Sequence, residues 1–274
     1  MLIALLSAAF LAGTTLPARP FVVPKPPPVV EVHAKDFAFT APKTVSAGPT
    51  TFRLINDGKE LHHLSVIKLA KGKTVKDLGE AFAKQGPPPA WITDMGGPNP
   101  AAPGGSVEAT LNLSPGEYAI MCFIPSPGSP MPHMAKGMVG SFTVLPAKNG
   151  ASMPATDMTI TLSDYKFSFS KPMTAGKHVV NVVNSASQSH EVVFVKLNPG
   201  KKIADMQAFI ETDLMKSAPP GRTIAGMAGI AKGQSASFPV ELTPGTYGMI
   251  CFVPDMKDGK SHSMHGMLTQ FDVK

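Results

Sequence analysis

The chain repeats itself, and that constrains its fold more than any other feature. Residues 56–69 (NDGKELHHLSVIKL) align with residues 184–197 (NSASQSHEVVFVKL) at an offset of 128. Further on, residues 113–125 (LSPGEYAIMCFIP) align with residues 242–254 (LTPGTYGMICFVP) at an offset of 129. Upstream, Phe37-Ala38-Phe39 matches Phe167-Ser168-Phe169, and Ala47-Gly48 matches Ala175-Gly176. Chance similarity does not keep order and spacing over such a length. The 274 residues therefore read as two copies of one domain, a size that fits the usual range of roughly 100–200 residues per domain only when the chain is halved.

Composition narrows the fold of each copy. With 28 Pro and 25 Gly, long helices cannot dominate, and 43% hydrophobic residues rule out wholesale disorder. Short runs such as residues 51–55, 64–69, 107–113 and 118–123 alternate or are β-branched, with turn residues between them, the pattern of an all-β sandwich. One stretch per copy breaks it. Residues 74–84 place Val75, Leu78, Ala81 and Phe82 on one helical face behind a Thr74/Asp77 capping box, and residues 202–215 do the same with Ile203, Met206, Phe209 and Ile210. The expectation is two tandem Greek-key β-sandwiches over residues 31–145 and 156–274, each with a short helical insertion, joined by a linker at 146–155.

Residues 1–18 are apolar through Ala12 and end in small residues, reading as a secretory signal peptide or a short membrane anchor. Residues 19–30 continue a Pro-rich spacer, six prolines falling between Pro17 and Pro28. Both place the bulk of the chain outside the cytoplasm, periplasmic or extracellular, with any membrane contact made through residues 1–18.

Two copies also vote on which polar residues matter. Of eight His, His62 pairs with His190 and His133 with His262, whereas His33, His63, His178 and His265 have no counterpart. The two Cys, Cys122 and Cys251, pair with each other, and Met138 pairs with Met267. The recurring set is a His followed by Cys-x10-His-x4-Met. A thiolate, two imidazoles and a thioether suit copper cycling between Cu(I) and Cu(II).

At these residues the chain resembles the cupredoxin family, that of plastocyanin and azurin. The resemblance runs through Pro42-x-x-Val45-x-Ala47-Gly48-x-x-x-Phe52-x-x-x-Asn56-x-Gly58-x-x-x-His62, then Gly116-x-Tyr118-x-x-x-Cys122, then His133-x-x-x-Gly137-Met138. It implies His62, Cys122 and His133 as equatorial copper ligands and Met138 as a weak axial one, with His190, Cys251, His262 and Met267 repeating the set. One spacing departs from the family. Those proteins leave about four residues between Cys and His, a short loop that enforces ligand geometry, whereas ten intervene here. Such a loop has to be held by contacts from outside the ligand set.

The remaining residues sort by position. His63, on the opposite strand face from His62, is expected at the surface, as are His33 and His178. Trp91 is the only Trp; it is either an anchor for a partner protein or local packing over the helical insertion. Met131, Met134, Met153, Met256 and Met264 crowd the ligand loops and the linker, as soft ligands or as an apolar docking rim.

Among functions, a multicopper oxidase needs a trinuclear cluster, built in that family from about eight His in His-x-His pairs; four of the eight His here are already assigned and no His-x-His occurs. No Ser-His-Asp set or phosphate loop stands out. Two non-enzymatic readings remain: a one-electron carrier, or a copper-free structural subunit docked on a membrane electron-transfer complex, respiratory or photosynthetic. A net charge of +6, mostly from Lys, favours acidic partners such as a redox protein of the cytochrome kind and requires no nucleic acid.

Overall fold

A computed structural model describes residues 24–84 and 86–274; the proposed leader at 1–18 and the first part of the spacer lie outside the described residues. The first half runs β1 (Val29–Lys35), β2 (Ala38–Thr40), β3 (Thr44–Asn56), β4 (Ser65–Leu69), α1 (Val75–Ala83), β5 (Ile92–Gly96), β6 (Ser106–Leu113), β7 (Gly116–Met121) and β8 (Val139–Lys148). The second half follows the same order with β9 (Met158–Ser163), β10 (Lys166–Phe169), β11 (Gly176–Asn184), β12 (His190–Leu197), α2 (Ile203–Glu211), β13 (Gly221–Ile230), β14 (Ser235–Leu242), β15 (Gly245–Ile250) and β16 (Leu268–Val273). The fold is all-β, as expected. Strand begins at Val29, inside the stretch read as spacer, and β8 runs on to Lys148, inside the stretch read as linker.

Each half forms two facing sheets. In the first, β2-β1-β3-β6 opposes β8-β7-β4-β5. The chain crosses to the first sheet for β6 and back for β7, which makes the sandwich a Greek key. In the second, β10-β9-β11-β14 opposes β16-β15-β12-β13. The two sandwiches meet edge to edge, because β6 pairs with β14 (Thr110 with Ser237) and β5 meets β13 (Met95 with Ile230). Each junction covers strand edges that would otherwise expose unpaired backbone groups.

The strand carrying each Cys is buried on both faces. Along β7, Tyr118, Ile120 and then Cys122 point into the sandwich, while Ala119 and Met121 lie beneath α1 with Ile67, Leu69 and Leu78. Tyr118 stacks on Phe142 at 5.2 Å and donates its hydroxyl to the Ser114 carbonyl. Tyr247 repeats this with Phe271 and Thr243. The capping box of α1 forms as expected, with Asp77 N–H donating to Thr74 Oγ1 and Thr74 N–H to Asp77 Oδ2. Trp91 packs locally in the cluster under α1, with Lys73 Nζ 5.2 Å from its ring centre.

Three expectations change. The hairpin joining β1 to β2 turns at Asp36-Phe37 and that joining β9 to β10 at Asp164-Tyr165, so Phe39 rather than Phe37 is the counterpart of Phe167. His63 is buried, held between Asn99 and the segment after Cys122, with its ring edge-on to Phe123. His178 is buried too, and both its ring nitrogens donate, Nδ1 to Asp157 Oδ2 at 2.7 Å and Nε2 to the Thr174 carbonyl at 2.8 Å.

That last pair sets a pH dependence. The Asp157 hydrogen bond raises the His178 pKa, and His178 in turn holds Asp157 well below the usual carboxylate range. Stabilisation from His178 is complete below the unfolded value of about 6.5 and fades as pH rises through the folded one; that from Asp157 is lost only as pH falls below about 4. His178→Gln should therefore lower the melting temperature more at pH 5.5 than at pH 9, by the equivalent of about 1 kcal/mol or less since Asp157 is solvent-screened; equal losses at both values would contradict the pairing.

Candidate metal centre

Two groups of donor atoms converge in the sandwich cores, His62/Cys122/His133 and His190/Cys251/His262, each with its atoms within 4.8 Å of one another. All six side chains are fully buried. In the first group His133 Nδ1 lies 3.1 Å from His62 Nδ1 and 3.4 Å from Cys122 Sγ, and His62 Nδ1 lies 4.0 Å from Cys122 Sγ. Three donors each about 2.0–2.3 Å from one ion in a trigonal arrangement sit roughly 3.5–3.7 Å apart, so these separations fit a shared ion. In the second group Cys251 Sγ is 3.4 Å from His262 Nδ1 and 3.9 Å from His190 Nδ1.

Hydrogen bonding decides which nitrogen is free. His62 Nε2 faces Asp36 Oδ1 at 2.7 Å, and His133 Nε2 faces Glu60 Oε2 at 2.8 Å. A carboxylate accepts the hydrogen bond from Nε2–H and keeps the proton on that nitrogen, which leaves Nδ1 as a bare lone pair. Two such lone pairs 3.1 Å apart, beside a thiol, repel unless a cation joins them. Burial pushes Asp36 up, but hydrogen bonds from Lys59, His62 and Glu60 outweigh it and keep the carboxyl below its ordinary range. Burial also depresses His133 and His190, takes His262 down to about 4, and pushes the Cys122 thiol up to about 12. A thiol held in its neutral form is the expected resting partner for a metal that displaces its proton.

The long Cys-to-His loop is pinched at its base. His133 N–H donates to the Ile124 carbonyl at 2.9 Å and Met134 N–H to the Cys122 carbonyl at 2.8 Å, with a bridge between Pro125 and Pro132. The second loop does the same through His262 to Val253, Ser263 to Cys251, and Pro254 with Ser261. The extra residues form an excursion beyond the clamp, and the His returns as though the loop were short. Met138 is buried and tied to two of the converging residues, its N–H donating to the His133 carbonyl and its carbonyl accepting from Cys122 N–H; Met267 repeats this with His262 and Cys251. The approach of the first His is also fixed twice. Asn56 Nδ2 bonds the Glu60 and Ala101 carbonyls, and Asn184 Nδ2 bonds those of Gln188 and Ile230.

Several residues that support the donors lie outside the ligand set expected from the sequence. Asp36 and Asp164, which hold His62 and His190, lie 128 residues apart, so the repeat offset itself would have found them. Glu60 has Gln188 as its counterpart, and the second centre instead offers Asp255, 3.8 Å from His262 Nε2, too far for a hydrogen bond. Among the described residues His262 Nε2 has no partner. Cys122 and Cys251 are both free thiols buried in their own sandwiches.

No protein-family model and no curated protein matches the sequence. Solved structures that align with it include the dithionite-reduced auracyanin of the photosynthetic bacterium Roseiflexus castenholzii, 25% identical over 44% of this chain and 100% of that one with a TM-score of 0.30. Auracyanin A, a blue copper protein of Chloroflexus aurantiacus, is 23% identical over 43% of this chain and 99% of that one, TM-score 0.31. A copper-containing nitrite reductase of Thermus scotoductus is 13% identical over 90% of this chain and 61% of that one, TM-score 0.25. The chain's own donor set, soft sulfur with two Nδ1 lone pairs, fits copper.

Since burial pushes the Cys122 thiol up to about 12, metal uptake at the first centre should release the thiol proton, and apparent affinity should rise about tenfold per pH unit between pH 7 and 9; a pH-independent isotherm would contradict it. Glu60→Gln, which leaves every donor atom in place, should weaken metal binding at that centre by about 10–100-fold, measured in the Cys251→Ser background.

Proposed function

We propose that the protein is an extracytoplasmic cupredoxin of two tandem domains that carries single electrons through copper at its two centres. The supporting observation is the doubled constellation of one buried thiol and two convergent His Nδ1 atoms, with the opposite nitrogens of His62, His133 and His190 turned toward carboxylates. Copper, when bound, would supply a one-electron couple. The protein's part is to fix the donors: Asp36 and Glu60 orient the rings, the clamped loop returns His133 to Cys122, and burial excludes water from the thiolate. A site that cannot relax between oxidation states favours transfer over chemistry on a substrate, and His residues outside the two centres do not supply a second cluster of the oxidase kind. We therefore read the protein as a carrier and not as an enzyme.

The surface supports docking of a redox partner near both centres. Met131 lies two residues before His133, and Met264 two residues after His262; with Met256 they are more than half or about half exposed at the ligand loops. A soft apolar rim with a net positive chain suits a partially acidic partner such as a cytochrome or a membrane electron-transfer complex. Trp91 lies apart, packed beside α1, and is a further partner contact in this reading. Among the described residues no helix is long and apolar enough to cross a membrane; attachment, in this proposal, runs through residues 1–18.

Adding Cu(II) to the purified chain tests the reading. An intense visible thiolate-to-copper band and a narrow-hyperfine EPR signal are expected, with Cys122→Ser and Cys251→Ser each removing its own centre's contribution and leaving the other's. No band in the wild type, together with no stoichiometric copper by metal analysis, would overturn the carrier in favour of a copper-free docking subunit.

A further inference from the structure

The two centres are joined by a buried chain of hydrogen bonds through a single side chain, Asn99. His63 and Glu191 follow His62 and His190 in sequence, and each touches its Cys region twice. Their backbone N–H groups donate to Cys122 Sγ and Cys251 Sγ at 3.5 and 3.4 Å. Their side chains accept from the residue after each Cys, His63 Nε2 from Phe123 N–H at 2.8 Å and Glu191 Oε1 from Phe252 N–H at 2.9 Å. Asn99 closes the gap, its Oδ1 3.2 Å from His63 Nδ1 and its Nδ2 donating to Glu191 Oε2 at 3.0 Å.

The direction of every bond follows. His63 Nε2 accepts, so its proton is on Nδ1 and goes to Asn99 Oδ1; the Asn99 amide then has only donors to offer Glu191. His63, Asn99 and Glu191 are all buried, and water does not compete for these groups. The local backbone is built for this placement. Pro98 and Pro100 flank Asn99 and fix the chain on either side. Gly226 (φ +154°) faces it across the junction, where a Cβ would lie 2.4 Å from the Asn99 carbonyl oxygen and 2.1 Å from that of Val192, so only glycine allows the approach. Nor is Asn99 a product of the repeat. Ala101 opposite His62 corresponds to Ile230 opposite His190, which puts Ala228 at the position equivalent to Asn99. One Asn serves both centres.

We propose that Asn99 is a positioning residue shared by the two centres, coupling the hydrogen bonds on one cysteine sulfur to those on the other, so that a metal ion at one centre alters the thiolate environment at its neighbour. Hydrogen bonds to a ligand sulfur tune the metal it holds. Here the donors to both sulfurs belong to residues whose side chains are linked through one amide. The effect on bound copper rests on the function proposed above; the linkage itself rests on the chain alone.

The test therefore has a metal-free arm and a copper arm. In metal-free full-length protein, His63→Leu should shift the amide NMR resonance of Phe252, across the junction, and Glu191→Leu that of Phe123; in an Asn99→Leu background both cross-junction shifts should be lost. A packing role alone would leave the shifts additive. Asn99→Ser, smaller and still polar, replaces Asn99→Leu if the latter does not fold. In the copper arm the wild-type thiolate band should depart from the sum of the Cys122→Ser and Cys251→Ser spectra, and Asn99→Leu should restore the sum. Cross-junction shifts that are absent in the wild type, or that persist without Asn99, overturn the linkage, and spectra additive in the wild type overturn its effect on bound metal. A wild type with no copper band defeats the carrier reading and leaves the metal-free arm to decide the linkage.

Discussion

Burying a thiol and two imidazole lone pairs at one point is costly for a folded chain, because each polar group loses water and gains no partner from the others. The sandwiches accept that cost twice, and much of the surrounding structure serves to hold the groups in place. His62 and His133 are gripped from behind by Asp36 and Glu60. The backbone before each first His is pinned by Asn56 and Asn184, and the strand carrying each Cys is packed on both faces, by the sandwich core and by α1 or α2. Remove the requirement for convergent donors and these buried polar contacts have no evident purpose. An apolar filling would serve the same fold at less cost.

The ligand loops show how the constraint is met at an unfavourable spacing. Ten residues between Cys and His leave the second imidazole free to wander, yet paired backbone hydrogen bonds at the base restore a short closure. What lies beyond the clamp is then free to make other contacts. The first excursion reaches the second half, where Gly128 N–H donates to the Leu214 carbonyl at 2.6 Å. The second is held at its return by Glu211, which accepts from Ser263 Oγ at 2.6 Å, so the helical insertions brace the loops as well as the strands.

The convergent His and Cys donors were legible because repetition isolates them: a Cys, two His and a Met at matched offsets in both copies stand out from residues that occur once. The strands were legible for the usual reason, alternation between turn residues. The carboxylates were not, since Asp36 and Asp164 sit 26 residues before the His they hold and belong to a hairpin whose register the Phe-x-Phe match misplaced by two positions. His63 was misassigned by strand parity, which is sound for a sandwich with one face in water and fails here because Asn99 and Phe123 close over that face. Asn99 gives no signal at all in a repeat comparison, because a residue that joins two copies has no reason to occur in both.

The two copies are similar without being equivalent, and the differences fall on the rings' outer nitrogens. At the first centre Glu60 accepts from His133 at 2.8 Å. At the second the same position is Gln188, whose amide donates to Asp255 at 2.8 Å, and that carboxylate also accepts from Tyr165. Asp255 is thereby engaged by neutral donors and stands 3.8 Å from His262. A carboxylate hydrogen-bonded directly to a ligand ring raises the ring's basicity and favours the higher charge on whatever it binds; a carboxylate held off by other donors does so less. The two halves present the same inner donor types, and their differing outer contacts make two environments from them. The two centres, fixed relative to each other by continuous sheets and linked through Asn99, therefore differ in their outer contacts rather than in their inner donors.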